Sequence, residues 1–273
     1  MQLRGKVALV TGAAQGLGRG FTEAMLHRGA KVALLDIKVL EGRKTTKELA
    51  SKYGPDKVLF LPCDVTDKGQ MKSAFQQASS HFGQLDIVVN NAGVTEQENW
   101  DMVLDINLRS VIHGTLLGLD HMGTDKGGGG GLIINIASMA GLIAMFIGPV
   151  YTATKHGVVG LSRSFGTPFH FDRSGVRVCA ICPTMTDTAI QPPRVAATPE
   201  EQLKADAHWA YTDSQGGLLQ VSEVVDGFLQ LVEDDSKNGA VMRITKQKGV
   251  DYQPYGGGGQ GVPYATRKTR SKL

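Results

Sequence analysis

The sequence predicts a doubly wound α/β fold in a single domain, with a parallel sheet carrying helices on both faces. Three observations predict it. Short runs such as KVALV, KVALL, DIVVN and GLIINI are apolar without alternation, as strands buried on both faces are. Amphipathic stretches of helical length separate them in regular order. A chain of 273 residues with 41% hydrophobic content can bury a large core, and α/β folds of this length commonly form one domain.

Each element follows in turn. KVALVTG is the first strand and runs into a glycine turn, with a helix over 17–27. KVALLDI is the second strand, followed by a helix over 40–53, and VLFLPCDV is the third, followed by a helix around 70–82. DIVVNNAG leads into a long helix from about 100 to 122. GLIINIAS leads into a helix over 151–165, and VRVCAICP is the sixth strand. The five glycines of 127–131 precede a strand rather than a helix, so they read as a flexible connector and not as a phosphate cradle. The segment 184–217 is rich in proline, threonine and charge, and reads as a loop with short helices lying as a lid over an apolar pocket. The domain is expected over 1–255, with a flexible basic tail over 256–273.

Composition narrows the function. Lysine and arginine number 29 against 26 acidic residues, and a net charge of +3 is too weak a bias for a nucleic-acid surface. Three cysteines, Cys63, Cys179 and Cys182, argue for free thiols in a reducing compartment. Cys179 and Cys182 form a CxxC, but inside a strand they read as packing residues. With no run of eighteen apolar residues, no membrane span is expected. No His, Cys and carboxylate cluster has metal-ligand spacing, so no metal is expected, and His156, although next to Lys155, points elsewhere on its helix.

TGAAQGLG, from Thr11 to Gly18, sits directly after a strand and directly before a helix. In that context a glycine turn brings backbone N–H groups against a pyrophosphate at a helix N-terminus. Gly12 and Gly16 allow the close approach, and Gly18 lets the helix pack tightly on the strand. Asp36 ends the second strand 18 residues after Gly18, where a carboxylate accepts from both ribose hydroxyls and repels a 2′-phosphate. Neither Ala14 nor Gln15 supplies a basic group for that phosphate, so the expected cofactor is NAD rather than NADP. In PVYTATKHG, Tyr151 and Lys155 lie one helical turn apart and share a face. A free tyrosine, with a pKa of ~10, is a poor base at neutral pH and needs neighbouring cations to favour the phenolate.

TGxxxGxG at Thr11–Gly18, Asp64-Val65 after the third strand, NNAG at Asn90–Gly93, Asn107, Ser138 and YxxxK at Tyr151–Lys155 together resemble the short-chain dehydrogenase/reductase family over almost the whole chain. The resemblance implies that Tyr151 takes the hydroxyl proton as the substrate's hydride leaves for the nicotinamide. Lys155 would lower the tyrosine pKa and bind the nicotinamide ribose, Ser138 would hold the substrate oxygen, and Asn107 would support a proton-relay water in a bent helix. It further implies cofactor contacts from Gln15, Leu17, Ile37, Cys63, Asp64, Val65, Asn91, Ala92, Gly93, Pro183, Met185 and one of Thr186 and Thr188. Thr184 departs from the glycine that family members usually carry after that proline.

The resemblance also implies oxidation of a secondary alcohol on a lipid-like chain, with a steroid or hydroxy-fatty-acid alcohol as alternatives and a catalytically silent NAD-binding scaffold as a third. The family member that this chain most resembles carries a glutamine three residues before its tyrosine, where this chain has Gly148. Met185, Ile190, Trp209 and Tyr211 either line the substrate pocket or pin the lid to the body. The helices over 100–122 and 151–165 pair between subunits in similar proteins, so a homodimer or homotetramer is expected. Ser271-Lys272-Leu273 reads as a peroxisomal import address, recognised by the import receptor, with the cytoplasm as the alternative.

Overall fold

The computed structural model describes residues 1–95 and 98–254. Eight strands form one sheet: β1 (Val7–Thr11), β2 (Lys31–Asp36), β3 (Val58–Pro62), β4 (Ile87–Asn90), β5 (Gly131–Ile136), β6 (Val176–Pro183), β7 (Val241–Thr245) and β8 (Gly249–Tyr252). Their order across the sheet is β3-β2-β1-β4-β5-β6-β7-β8. The first seven are parallel and β8 returns antiparallel on β7. The order in which strands are added reverses between β1 and β4, which opens the crevice where open α/β sheets bind ligands.

Helices α1 (Gly16–His27), α2 (Val39–Tyr53), α3 (Lys68–Phe82), α4 (Trp100–Leu104), α5 (Ser110–Met122) and α6 (Pro149–Phe165) fall where the periodicity places them. Phe21, Met25 and Leu26 of α1 and Phe228 join one face's core, while Met71, Phe75 and Ala78 of α3 join the other. The stretch between α4 and α5, Asp105–Arg109, is a π-helical segment. There the Ser110 N–H reaches back to the Asp105 carbonyl, and the Ile106 carbonyl takes the Ser110 hydroxyl instead at 2.5 Å.

The glycines of 127–131 do not form a flexible connector. The Gly130 N–H donates to the Met122 carbonyl at 2.8 Å, and a side chain at Gly128 would strike that same carbonyl at 2.4 Å. They let the chain fold back tightly from α5 into β5. Before β6 comes α7 (Pro168–Ser174), and after it, besides β7 and β8, come an isolated bridge between Thr186 and Leu219 and the helices α8 (Pro199–Ser214) and α9 (Val221–Glu233). The expected short helices of the lid are instead one 16-residue helix, α8, started by a capping box between Thr198 and Glu201 with Pro199 in its first turn.

Candidate active site

At the sheet's crevice, Gly12 and Gly16 adopt φ of +64° and +56°, backbone that favours glycine. A Cβ on Gly18 would lie 2.2 Å from the Gly12 carbonyl, so α1 sits on its strand only because that side chain is missing. Gln15 caps α1 without any side-chain hydrogen bond, which leaves the first helical amides free of a side-chain acceptor. This fits an anionic group such as the pyrophosphate of NAD. Leu17 packs from α1 into the core below.

Thr11 and Asn91 tie this turn to β4. The Thr11 hydroxyl accepts from the N–H groups of Asn91 and Ala92 at 2.9 and 3.0 Å, and the Asn91 amide donates to the carbonyls of Thr11 and Gly12 at 2.9 and 3.1 Å. Asp36 is 8% exposed, and its carboxylate accepts from the N–H of Ala14 and of Lys38, both at 2.9 Å. It thus braces the glycine turn while keeping lone pairs for a ribose. Ile37, beside it, is exposed. Asp64 is turned inward on its own loop, accepting from Thr66, while Val65 packs against the core. Cys63 is buried, its thiol pushed up to about 11 by burial, so it offers the crevice backbone only.

The end of β5 carries Ser138, whose hydroxyl accepts from the Ala140 N–H at 3.1 Å and opens a short 3-10 turn. The Tyr151 hydroxyl is hydrogen-bonded to Ser138. Lys155 is 4% exposed, donates to the Ile136 carbonyl at 2.9 Å, and lies 5.5 Å from the centre of the Tyr151 ring. Burial pulls its amine down to about 8. At Tyr151 burial is again the largest influence and raises the phenol above its usual range, with the Ser138 bond working the other way. The expected lowering by Lys155 is therefore not the dominant effect in the free protein, because both groups are desolvated together. Asn107 is fully buried, and its amide accepts from the Val94 N–H and donates to the Val94 carbonyl, both at 2.8 Å. Its side chain is a strut between the π-segment and the loop after β4. A Cβ on Gly93 would lie 3.2 Å from that amide and 3.7 Å from the Lys155 amine, which places Gly93 at the centre of the cluster.

Behind it lies a set of buried side chains that sequence reasoning missed. Asn90 donates to Asn135 at 2.8 Å, and Asn135 donates to Ser162 at 3.0 Å, with Thr115 bonded to Asn135 at 3.3 Å. The chain of bonds runs from β4 through β5 to α6 and fixes how α6 lies against the strand that carries Ser138.

After β6, Pro183 is followed by three threonines. Thr186 is buried and its hydroxyl donates back to the Thr184 carbonyl at 3.0 Å, whereas Thr188 lies over the glycine turn, within 3.5 Å of where a side chain on Gly16 would be. Thr188 is thus the one that faces the crevice. Gln191 donates to the Thr186 carbonyl and accepts from His208 of α8, both at 2.8 Å, which fastens the lid helix to the strand end. Ile190 is partly exposed, Met185 and Tyr211 are half-buried, and Trp209 stacks under the Arg194 guanidinium at 4.1 Å. Trp209 therefore helps hold the lid together. Gly148 is buried as the N-cap of α6. Phe146, Val195 and Leu203 are 70%, 83% and 71% exposed.

Cys179 and Cys182 belong to different core clusters, since three residues along a strand bring them to opposite faces. Burial pushes their thiols up to about 11 and 12. Among the described residues, no three His, Cys, Asp or Glu groups are placed to hold a metal, and no helix is long and apolar enough to cross a membrane. The terminal SKL lies outside the described residues.

A glycine turn at the sheet's crevice adjoins a strand end where serine, tyrosine and lysine meet, and the family model for short chain dehydrogenases matches residues 6–198. The chain belongs to that family. It is 46% identical over 261 residues to the 15-hydroxyprostaglandin dehydrogenase (NAD+) of Rattus norvegicus, covering 93% of this chain and 96% of the relative, and shows the same identity and coverage with the Homo sapiens enzyme. Among solved structures it resembles a short chain dehydrogenase/reductase from Burkholderia phymatum in complex with NAD, with a TM-score of 0.74 and 25% identity over 85% of this chain and 87% of that one.

Proposed function

We propose that this protein oxidises a secondary alcohol on a lipid-like chain, a 15-hydroxyprostaglandin-type alcohol foremost, using NAD. The reading is carried by the meeting of Ser138, Tyr151 and Lys155 beside the glycine turn. NAD, when bound, supplies the hydride acceptor. Gly12, Gly16 and the open amides of α1 would hold its pyrophosphate, Asp36 its adenosine ribose and Lys155 its nicotinamide ribose. Ser138 holds the alcohol oxygen, and Tyr151 takes the hydroxyl proton as the carbinol C–H bond breaks, leaving a ketone. Lys155, with its amine near the physiological range, offers the phenolate a cation at close quarters. Asn107 supports the proton relay through the backbone of its π-segment, since its side chain is held by Val94.

The 46% identity to 15-hydroxyprostaglandin dehydrogenases over 93% of this chain supports a lipid-like substrate. Exposed Trp100, Met102 and Leu116 on α4 and α5 support pairing of subunits as a homodimer or homotetramer, checked by light scattering. The peroxisomal address belongs to the same proposal and is checked by imaging the chain with and without its last three residues.

The deciding experiment is NADH production by the purified protein on a panel of 15-hydroxyprostaglandins, hydroxysteroids, retinol and hydroxy fatty acids, with Tyr151→Phe as control. Prostaglandin turnover, lost by a factor of about 10² to 10⁴ in the control, is the expected result. Turnover of another alcohol alone reassigns the substrate, and nucleotide binding without any turnover points to a silent module.

A further inference from the structure

Thr45 sits in the middle of α2, and its hydroxyl bonds outside its own helix. Threonine and serine hydroxyls within a helix commonly donate to the carbonyl four residues back, as those of Thr22, Ser162 and Thr212 do here. The Thr45 hydroxyl donates instead to the Ala14 carbonyl in the glycine turn, at 2.7 Å and 31 residues away in sequence. The residue is 2% exposed, so water does not compete for that bond. Glycine lets the helix come this close: at Gly42, one turn earlier on the same face, a side chain would run into the Phe60 ring of β3.

That bond completes a hold on both sides of Ala14. The Ala13 N–H donates to the Leu35 carbonyl at 3.1 Å, and the Ala14 N–H to the Asp36 carboxylate at 2.9 Å, so β2 fixes the backbone that enters Ala14. Neither bond restrains the next peptide, which can still turn about the two soft torsions of Ala14. Thr45 restrains it. In a planar trans peptide the carbonyl and the following N–H point in opposite directions, so an Ala14 carbonyl held toward α2 sends the Gln15 N–H away from α2. Gln15 is exposed, and its N–H has no acceptor among the described residues. It directly precedes the open amides of α1.

We propose that Thr45 is a positioning residue for the cofactor's pyrophosphate: by holding the Ala14 carbonyl, it keeps the Gln15 N–H and the amides that follow directed at the anion. Thr45 touches no nucleotide itself and acts through the backbone of the turn. The assignment rests on the reading that NAD binds with its pyrophosphate at that turn. Without the hydroxyl, the carbonyl of buried Ala14 loses its partner and can regain one only by rotating its peptide, which swings the Gln15 N–H off the anion.

The test follows NADH binding by fluorescence, and its displacement by competitors, in the full-length wild type, Thr45→Val, Thr45→Ser and, should valine impair folding, Thr45→Ala. Each is measured well below its own nucleotide-free melting temperature. The competitors are ADP-ribose, which carries the pyrophosphate, and adenosine, which does not. Thr45→Val should weaken NADH and ADP-ribose alike, by about three- to tenfold, the worth of one hydrogen bond, and leave adenosine unchanged. Thr45→Ser should restore both. Adenosine weakened as much as ADP-ribose would mean that the hydroxyl supports the whole nucleotide face, and the assignment would fall. A lowered melting temperature with unchanged NADH affinity would make the residue merely structural and overturn it as well. A wild type that binds no NADH would instead defeat the NAD reading, and this assignment with it.

Discussion

The Lys155 amine donates to the Ile136 carbonyl at 2.9 Å, so this cation is anchored to the end of β5, two residues before Ser138. The anchoring buries it, and burial pulls its pKa from the ordinary 10.5 to about 8. Between those values the folded chain binds fewer protons than the unfolded chain, so this group makes stability rise with pH across that window. Relative to Lys155→Met, the nucleotide-free wild type should gain on the order of 1 to 3 kcal/mol from about pH 8 to 10.5, read from denaturant melts. Curves for the two proteins that stay parallel across that range would sink the idea.

Asp36 braces the glycine turn and, in the proposed reading, also holds the nucleotide's ribose. Asp36→Asn keeps one acceptor oxygen for the N–H groups of Ala14 and Lys38 and sets an amide against the other. Nucleotide-free stability should fall by about 1 kcal/mol, NAD affinity by about tenfold, and the preference for NAD over NADP should shrink. Paired titrations with the two nucleotides check this, and unchanged selectivity would exclude Asp36 as the ribose reader.

The polar network behind the site leaves no room for a side chain at Gly114, where a Cβ would lie 2.1 Å from the Asn90 amide oxygen. Gly114→Ala should destabilise the fold by about 1 to 3 kcal/mol and lower kcat as α6 shifts against β5. A variant with wild-type melting and wild-type kcat would show that the network tolerates displacement.

Gly148 has φ −154° and ψ 73°, backbone that does not require glycine. Gly148→Gln should lower the KM for a 15-hydroxyprostaglandin severalfold while leaving small secondary alcohols unaffected. Equal kinetics on both substrates would mean that this position does not touch the lipid.

Much of this was legible because the chemistry is local. Gly12, Gly16 and Gly18 announce their turn by spacing, and Tyr151 and Lys155 by one helical repeat. Asn135 and Ser162 were not, since nothing in either segment says which polar residue of β5 meets α6 until the sheet is assembled. The Lys155 bond to Ile136 uses a backbone carbonyl, which has no sequence signature, and burial reversed the expected order of influences on Tyr151. The lid is different: Thr198, Pro199 and Glu201 form a readable helix start, masked by the charge and proline around it. The apolar spacing of Val224, Phe228, Leu231 and Val232 likewise marks α9, which packs on α1.

The three cysteines bear on how the lid can be studied. Each is buried with its thiol raised to about 11 or 12, so maleimides and iodoacetamides at neutral pH should leave the folded wild type unmodified. A cysteine placed at exposed Val195 or Leu203 would then be the single reactive thiol among the described residues. A fluorophore there would report what α8 does as nucleotide and alcohol arrive, in a background that needs no cysteine removed.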